Sequence, residues 1–175
     1  MTVLRFHLAL LLGFLLSGCN PTATVKAPPP EEVSGAAVGH FCGMNLTEHP
    51  GPKGQIFLIG RAKPEWFSSV HDTIAFTRLP EEAKEIAAIY VNDMGRAGNW
   101  DQPEPGTWIE ARSAWFVIGS GRQSGMGGRE AVPFGDAAAA RTFAAAEGGQ
   151  VVRWSEIPNA YVLGGDEPPP PAARP

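Results

Sequence analysis

A short apolar strand, a helix and a second apolar strand occur twice along this chain, and that repeat limits the fold more than any other feature. In the first pass, residues 55–59 form an apolar run bounded by glycines and read as a strand. Residues 64–77 follow as a helix, with Pro64 at its first position and Phe67, Val70 and Ile74 on one face. Residues 86–91 read as a buried strand. After a Gly- and Pro-rich loop over 94–106, two more strands are predicted at 107–111 and 115–118. In the second pass, residues 130–134 form a short strand that Pro133 assigns to a sheet edge. Asp136 then caps a helix over 137–146 that Gly148-Gly149 stops, and residues 150–154 form the closing strand. The expected class is α+β: two small, similar ββαβ-like units, at about 38–106 and 107–163.

The N-terminus carries an address. Arg5 supplies a positive start, residues 8–16 are apolar but too few to span a bilayer, and the run ends in Leu16-Ser17-Gly18-Cys19. This order resembles a bacterial lipobox, so residues 1–18 are expected to be a signal peptide and Cys19 to carry the lipid. Asn20, rather than Asp, after that cysteine favours the outer over the inner membrane, on the periplasmic side. Removing residues 1–18 leaves 157 of 175 residues and, with Arg5 gone, moves the formal charge from −4 to −5. Residues 19–37 contain Pro28-Pro29-Pro30-Glu31-Glu32 and are expected to be a disordered tether; residues 164–175, with four prolines in a row, are expected to be a disordered tail. The folded domain is expected over 38–163.

The negative charge and the lack of any basic patch exclude nucleic acid as the partner. No Cys-x-x-Cys occurs, which disfavours dithiol redox chemistry and thiolate zinc sites, and no Cys-x-x-Cys-His is present to attach a haem. The glycines of 119–128 do not form a phosphate-binding fingerprint ahead of a helix.

With Cys19 blocked, Cys42 is the one thiol left in the mature chain. It sits in His40-Phe41-Cys42-Gly43-Met44, two residues from a thioether. Thiolate and thioether are soft donors that select Cu(I) over harder ions. In an extended segment Cys42 and Met44 share a face; in a loop, Gly43 lets them converge. The competing reading is a small buried cysteine packed beside a core methionine. Met126, among Gly125, Gly127 and Gly128, has little local packing to justify it and is the third candidate donor. His40, His49, Asp93 and Met94 are weaker ligand candidates; Met94 reads equally as a core residue at a strand end. His71 is expected to be exposed on the first helix. A Cys42–His40 nucleophile pair lacks an orienting third group.

Taken together, Cys42-Gly43-Met44, the run from His49 to Ile56, Tyr90-Val91-Asn92-Asp93-Met94, Ser124-Gly125-Met126-Gly127-Gly128 and Ala131-Val132-Pro133-Phe134 resemble the nitrous oxide reductase accessory lipoproteins, the NosL family. The resemblance spans about residues 38–157. It implies two α+β units packed as a hinge, similar to part of organomercurial lyase, and a periplasmic Cu(I) metallochaperone rather than an enzyme. Its ligands would be Cys42, Met44 and Met126, and its partners nitrous oxide reductase and a membrane ABC-type maturation complex. The alternatives are a membrane-anchored interaction lipoprotein without metal and a thiol enzyme.

Overall fold

The computed structural model describes residues 27–164. The signal peptide, Cys19, the first part of the tether and residues 165–175 lie outside them. Seven strands fall into two antiparallel sheets. Strands β1 (Gly54–Leu58), β2 (Glu65–Phe67), β3 (Ile86–Asn92) and β4 (Trp108–Glu110) form the first, in the order β2-β1-β3-β4. Strands β5 (Trp115–Ile118), β6 (Val132–Phe134) and β7 (Gln150–Arg153) form the second, in the order β6-β5-β7. Helix α1 (Val70–Arg78) lies between β2 and β3 in the chain, α2 (Ala137–Glu147) between β6 and β7, and the short α3 (Asn159–Leu163) closes the described chain. Each unit is therefore ββαβ, with its first strand in the middle. The repeat in the sequence is a repeat in topology, and β4 is an addition to the first copy. Because β4 pairs with β3 (Tyr90 with Glu110, Asn92 with Trp108), the boundary between units falls after Glu110 and not at 106/107.

The alternation of side chains explains the layers. On one face of the first sheet Ile56, Leu58, Phe67, Ile89 and Val91 meet Val70, Ile74 and Ala75 of α1. The same core continues into Phe116 and Ile118 of β5, Val152 of β7, and Tyr161 and Val162 of α3. The junction between the two units is thus filled with apolar side chains. The opposite face of the second sheet (Val117, Val132, Phe134) packs on Ala140 and Phe143 of α2. Asp136 accepts from the backbone N–H groups of Ala138 and Ala139 at 2.9 Å, which is the expected cap. Pro133 lies on edge strand β6 opposite Phe116, where its missing N–H costs no ladder bond.

Two further expectations are corrected. The helix expected from 64 to 77 starts at Val70, and residues 65–67 are β2. Ser69, in extended conformation, accepts from Asp72 N at 3.0 Å and caps the helix; Trp66 and Phe67, better suited to a pleated surface, pair with Gln55 and Gly54. The second correction concerns residues 27–37, expected to be tether. They form a strap across the first sheet. The Gln55 side-chain amide pairs with the Glu31 backbone in both directions, each bond 2.9 Å. The Tyr90 hydroxyl donates to Pro28 O at 2.7 Å, and Glu32 accepts from Gly106 N and Trp108 Nε1. Composition misleads here because the strap is held by hydrogen bonds and not by large apolar side chains. It also explains why all five residues of β1 are buried.

Gly54 shows how tightly α1 is seated. A Cβ there would fall 2.7 Å from Thr73 Cγ2 and 2.8 Å from Thr73 Cβ. Gly54→Ala is expected to cost about 1–3 kcal/mol in urea unfolding, and Thr73→Ala in the same chain to recover part of it, since the Cγ2 clash goes while the Cβ contact stays. Additive losses would show that the contact is not the cause.

Candidate metal centre

Cys42 and Met44 lie in one turn. Gly39 N donates to Met44 O at 2.9 Å and Gly43 N donates to Gly39 O at 2.8 Å, which closes it. Gly43 has φ +66°, so the loop reading of this stretch holds and a side chain at 43 would be strained. The turn is stitched to the first sheet by His40 N donating to Trp66 O at 2.7 Å and to the strap by Leu46 N donating to Ala37 O at 3.0 Å. The Cys42 sulfur rests over the bare Cα of Gly39, where a Cβ would be 2.5 Å from Sγ. The thiol is half-buried and donates to the Ser68 hydroxyl oxygen at 3.7 Å; the Met44 side chain is exposed.

Met126 is at the tip of a closed turn, more ordered than a free glycine loop. Gly127 N donates to Ser124 O at 2.8 Å, Ser124 N to Gly128 O at 2.9 Å, and Gln123 bridges to Arg129 at its base. Arg122 anchors the loop to α2 through Glu147 at 2.7 Å and stacks its guanidinium over Trp100. At the tip, Gly125 presses on the other unit: a Cβ there would be 2.6 Å from Pro50 O and 2.7 Å from His49 Cβ. The second unit's methionine loop thus abuts the segment that carries Cys42 and Met44, just beyond its end. The approach is made by the backbones, and the Met126 side chain, like Met44, projects into solvent.

The weaker candidates are engaged elsewhere. His40 turns from Cys42 to two carboxylates, with Nδ1 3.1 Å from Glu65 and Nε2 3.4 Å from Glu82, and packs on Phe41, Phe67 and Phe76. Asp93 is buried and accepts from Gly95 N at 3.0 Å, closing a turn. Met94 packs in the apolar cluster of the second unit, the core position that the sequence left open. His49 has a buried Nε2 without a partner among the described residues and lines a cavity of about 300 Å³ with Leu46, Lys53, Asn92 and Trp108; Cys42, Met44 and Met126 do not line it. Among the described residues no three His, Cys, Asp or Glu side chains cluster as a metal site. What the turn offers an ion is sulfur.

A family model described as NosL matches residues 30–162. The chain belongs to the NosL family. It is 49% identical over 163 residues to the copper-binding lipoprotein NosL of Achromobacter cycloclastes, covering 93% of this chain and 84% of that one. To the copper-binding lipoprotein NosL of Stutzerimonas stutzeri it is 35% identical over 156 residues, 89% of this chain and 80% of the relative. The crystal structure of the copper chaperone NosL from Shewanella denitrificans superposes with a TM-score of 0.71 at 34% identity, covering 76% of this chain and 99% of that one.

Sequence pattern gives no sign of two polar residues of this NosL-family chain. Ser68, buried between β2 and α1, faces the Cys42 thiol; a Ser-Ser pair ahead of a helix points to a cap but does not say where the other hydroxyl goes. Glu130 is buried where the Met126 loop enters β6. Its Oε1 accepts from Ala131 N at 2.8 Å and from His71 N, in the first turn of α1, at 2.9 Å, while Oε2 has no partner among the described residues. Burial pushes the Glu130 pKa up to about 7 against those stabilising bonds. Burial likewise brings Lys53 down to about 8, opposed by the Glu130 charge. His71, expected at the surface, is instead tucked against Asp72 and the Tyr161 carbonyl. Burial alone would lower its pKa, but the Asp72 hydrogen bond and the charges of Asp72 and Glu130 raise it overall.

Proposed function

We propose that this protein is a copper-carrying lipoprotein of the cell envelope that binds one Cu(I) and hands it on for assembly of the nitrous oxide reductase copper centres. The observation that carries the reading is the Cys42–Met44 turn: a half-buried thiol and an exposed thioether held on one glycine-bent loop, with a second exposed thioether on the abutting loop. The copper-binding names of its relatives support it. Copper is cargo here. The thiolate gives charge and a strong bond, and the thioethers give weak, neutral ones, so the ion is held yet open to a partner's ligands. Stepwise exchange follows, with thioethers leaving first and the thiolate last.

Cys19 is the acylated residue in this reading, holding the folded domain at the periplasmic face of the outer membrane through the linking segment. The partners are nitrous oxide reductase and its membrane ABC-type maturation complex, as in the family resemblance. Catalysis is not part of the reading: the Cys42 thiol bonds to a serine hydroxyl and the His40 ring nitrogens face carboxylates, so among the described residues no base addresses the sulfur.

The test is an anaerobic titration of the chain from Thr22 onward with Cu(I) and with Cu(II), followed by mixing of the loaded chain with copper-depleted nitrous oxide reductase. One tightly held Cu(I) per chain, weak Cu(II) binding and transfer to the reductase are expected. Absence of Cu(I) uptake overturns the metal reading in favour of a metal-free interaction lipoprotein; uptake without transfer overturns the assigned partner alone.

A further inference from the structure

We propose that Ser68 is a positioning residue for copper capture: its hydroxyl switches from accepting the Cys42 thiol proton to donating a hydrogen bond to the Cys42 thiolate once Cu(I) is bound. The proposal rests on the reading of Cys42 as a copper ligand.

Ser68 is buried to 2% exposure, and its neighbour Ser69 already supplies the α1 cap. Ser68 is therefore not needed to start the helix. A buried hydroxyl requires a partner, and the side-chain partner of Ser68 among the described residues is the Cys42 sulfur at 3.7 Å. The same sulfur lies close over the bare Cα of Gly39. Sulfur thus sits where a glycine leaves room for it and a hydroxyl contacts it. With a neutral thiol the contact is a weak S–H···O bond. When copper binds, the thiol proton passes to solvent, the sulfur can no longer donate, and the hydroxyl rotor is free to turn and donate to it. The new bond is charge-assisted and stronger than the one it replaces. The exchange favours the loaded state at neutral pH. It also draws electron density from sulfur, as outer-sphere donors do at metal thiolates.

Ser68→Ala is expected to lose about tenfold in Cu(I) affinity at pH 7 in competition with a chelator, a size usual for outer-sphere partners. Release of the ion to chelator should be faster, and the thiolate-to-copper absorption should move to lower energy. Ser68→Thr, which keeps the hydroxyl, should restore affinity and band position. In a Cys42→Ser background the Ser68→Ala change should have no further effect on the residual affinity. Circular dichroism and thermal melting of both Ser68 variants establish that they are folded. Unchanged affinity and band energy in folded Ser68→Ala overturn the role while leaving copper binding intact. An equal loss in the Cys42→Ser background also overturns it, since the effect would then not pass through the sulfur. Wild-type chain that takes up no Cu(I) overturns the functional reading and this role together.

Discussion

Cys42→Ser is expected to weaken Cu(I) binding by at least about two orders of magnitude, with Met44→Ala and Met126→Ala each losing about tenfold. The ranking follows from what each atom offers. A thiolate brings a full charge and a soft, polarisable lone pair, whereas the serine hydroxyl stays protonated and is hard. Each thioether is soft but neutral, so its loss removes a weaker bond; tenfold corresponds to about 1.4 kcal/mol. The substitutions should spare the fold. Cys42 sits on a half-exposed turn, and serine is close to it in size, so no cavity opens; Met44 and Met126 are among the exposed large side chains. Melting within about 0.5 kcal/mol of wild type is expected for all three, as for surface substitutions away from special features. The readout is competition with a chromophoric Cu(I) chelator under anaerobic conditions. Wild-type affinity in Cys42→Ser would falsify the central claim. A Met126→Ala variant that matches wild type while Met44→Ala is impaired would confine the site to the first unit and leave the abutting loop for partner contact.

The units are legible in the sequence because their strands and helices are coded locally. Asp136 before an alanine-rich run and a double glycine after it fix both ends of α2. Residues 64–69 mislead because Pro64 suits the first turn of a helix as well as the start of a strand, and Phe67, Val70 and Ile74 lie three and four apart. The pairing of Trp66 with Gln55 decides the matter, and that is a contact between segments. The strap over 28–37 is hidden for the same reason: its partners Gln55, Tyr90 and Trp108 come from three different strands. At the site, the two sulfurs of one turn can be read from their spacing. The approach of the Met126 loop to this segment through Gly125 has no local code, since it depends on how the second ββαβ unit sits on the first. Ser68 and Glu130 leave no periodic or compositional trace, because a buried polar side chain is specified by its partner.

Glu130 supplies the second large effect. Stability should fall as pH rises from about 4.5 to about 7, and rise again between about 8 and 10.5. The first arm comes from the glutamate. Its ordinary pKa is 4.5 and its folded value is about 7. Within that window the unfolded chain has released the proton and the folded chain still holds it, so each step upward in pH favours unfolding. The full difference is about 3 kcal/mol, at about 1.36 kcal/mol per pH unit. His71, whose pKa is also raised in the fold, contributes stability below its ordinary value of 6.5 and loses it as pH climbs through the raised one, reinforcing this arm. The second arm comes from Lys53, with a folded pKa of about 8 against 10.5. Between these values the folded chain has lost the proton and the unfolded chain keeps it, so stability rises with pH. Denaturant melts of wild type and Glu130→Gln at pH 5 and pH 8 isolate the glutamate. Glutamine preserves an acceptor for His71 N and Ala131 N but cannot ionise, so the variant should gain roughly 2 kcal/mol on wild type between pH 5 and pH 8, whatever its constant offset. Parallel profiles would show that Glu130 ionises freely and that water reaches its unpartnered oxygen. Lys53→Met should flatten only the arm above pH 8. Glu130 joins the start of α1 to the strand that follows the Met126 loop, so its ionisation places a charge in the buried contact between the two units, and the stability minimum is expected between pH 7 and 8.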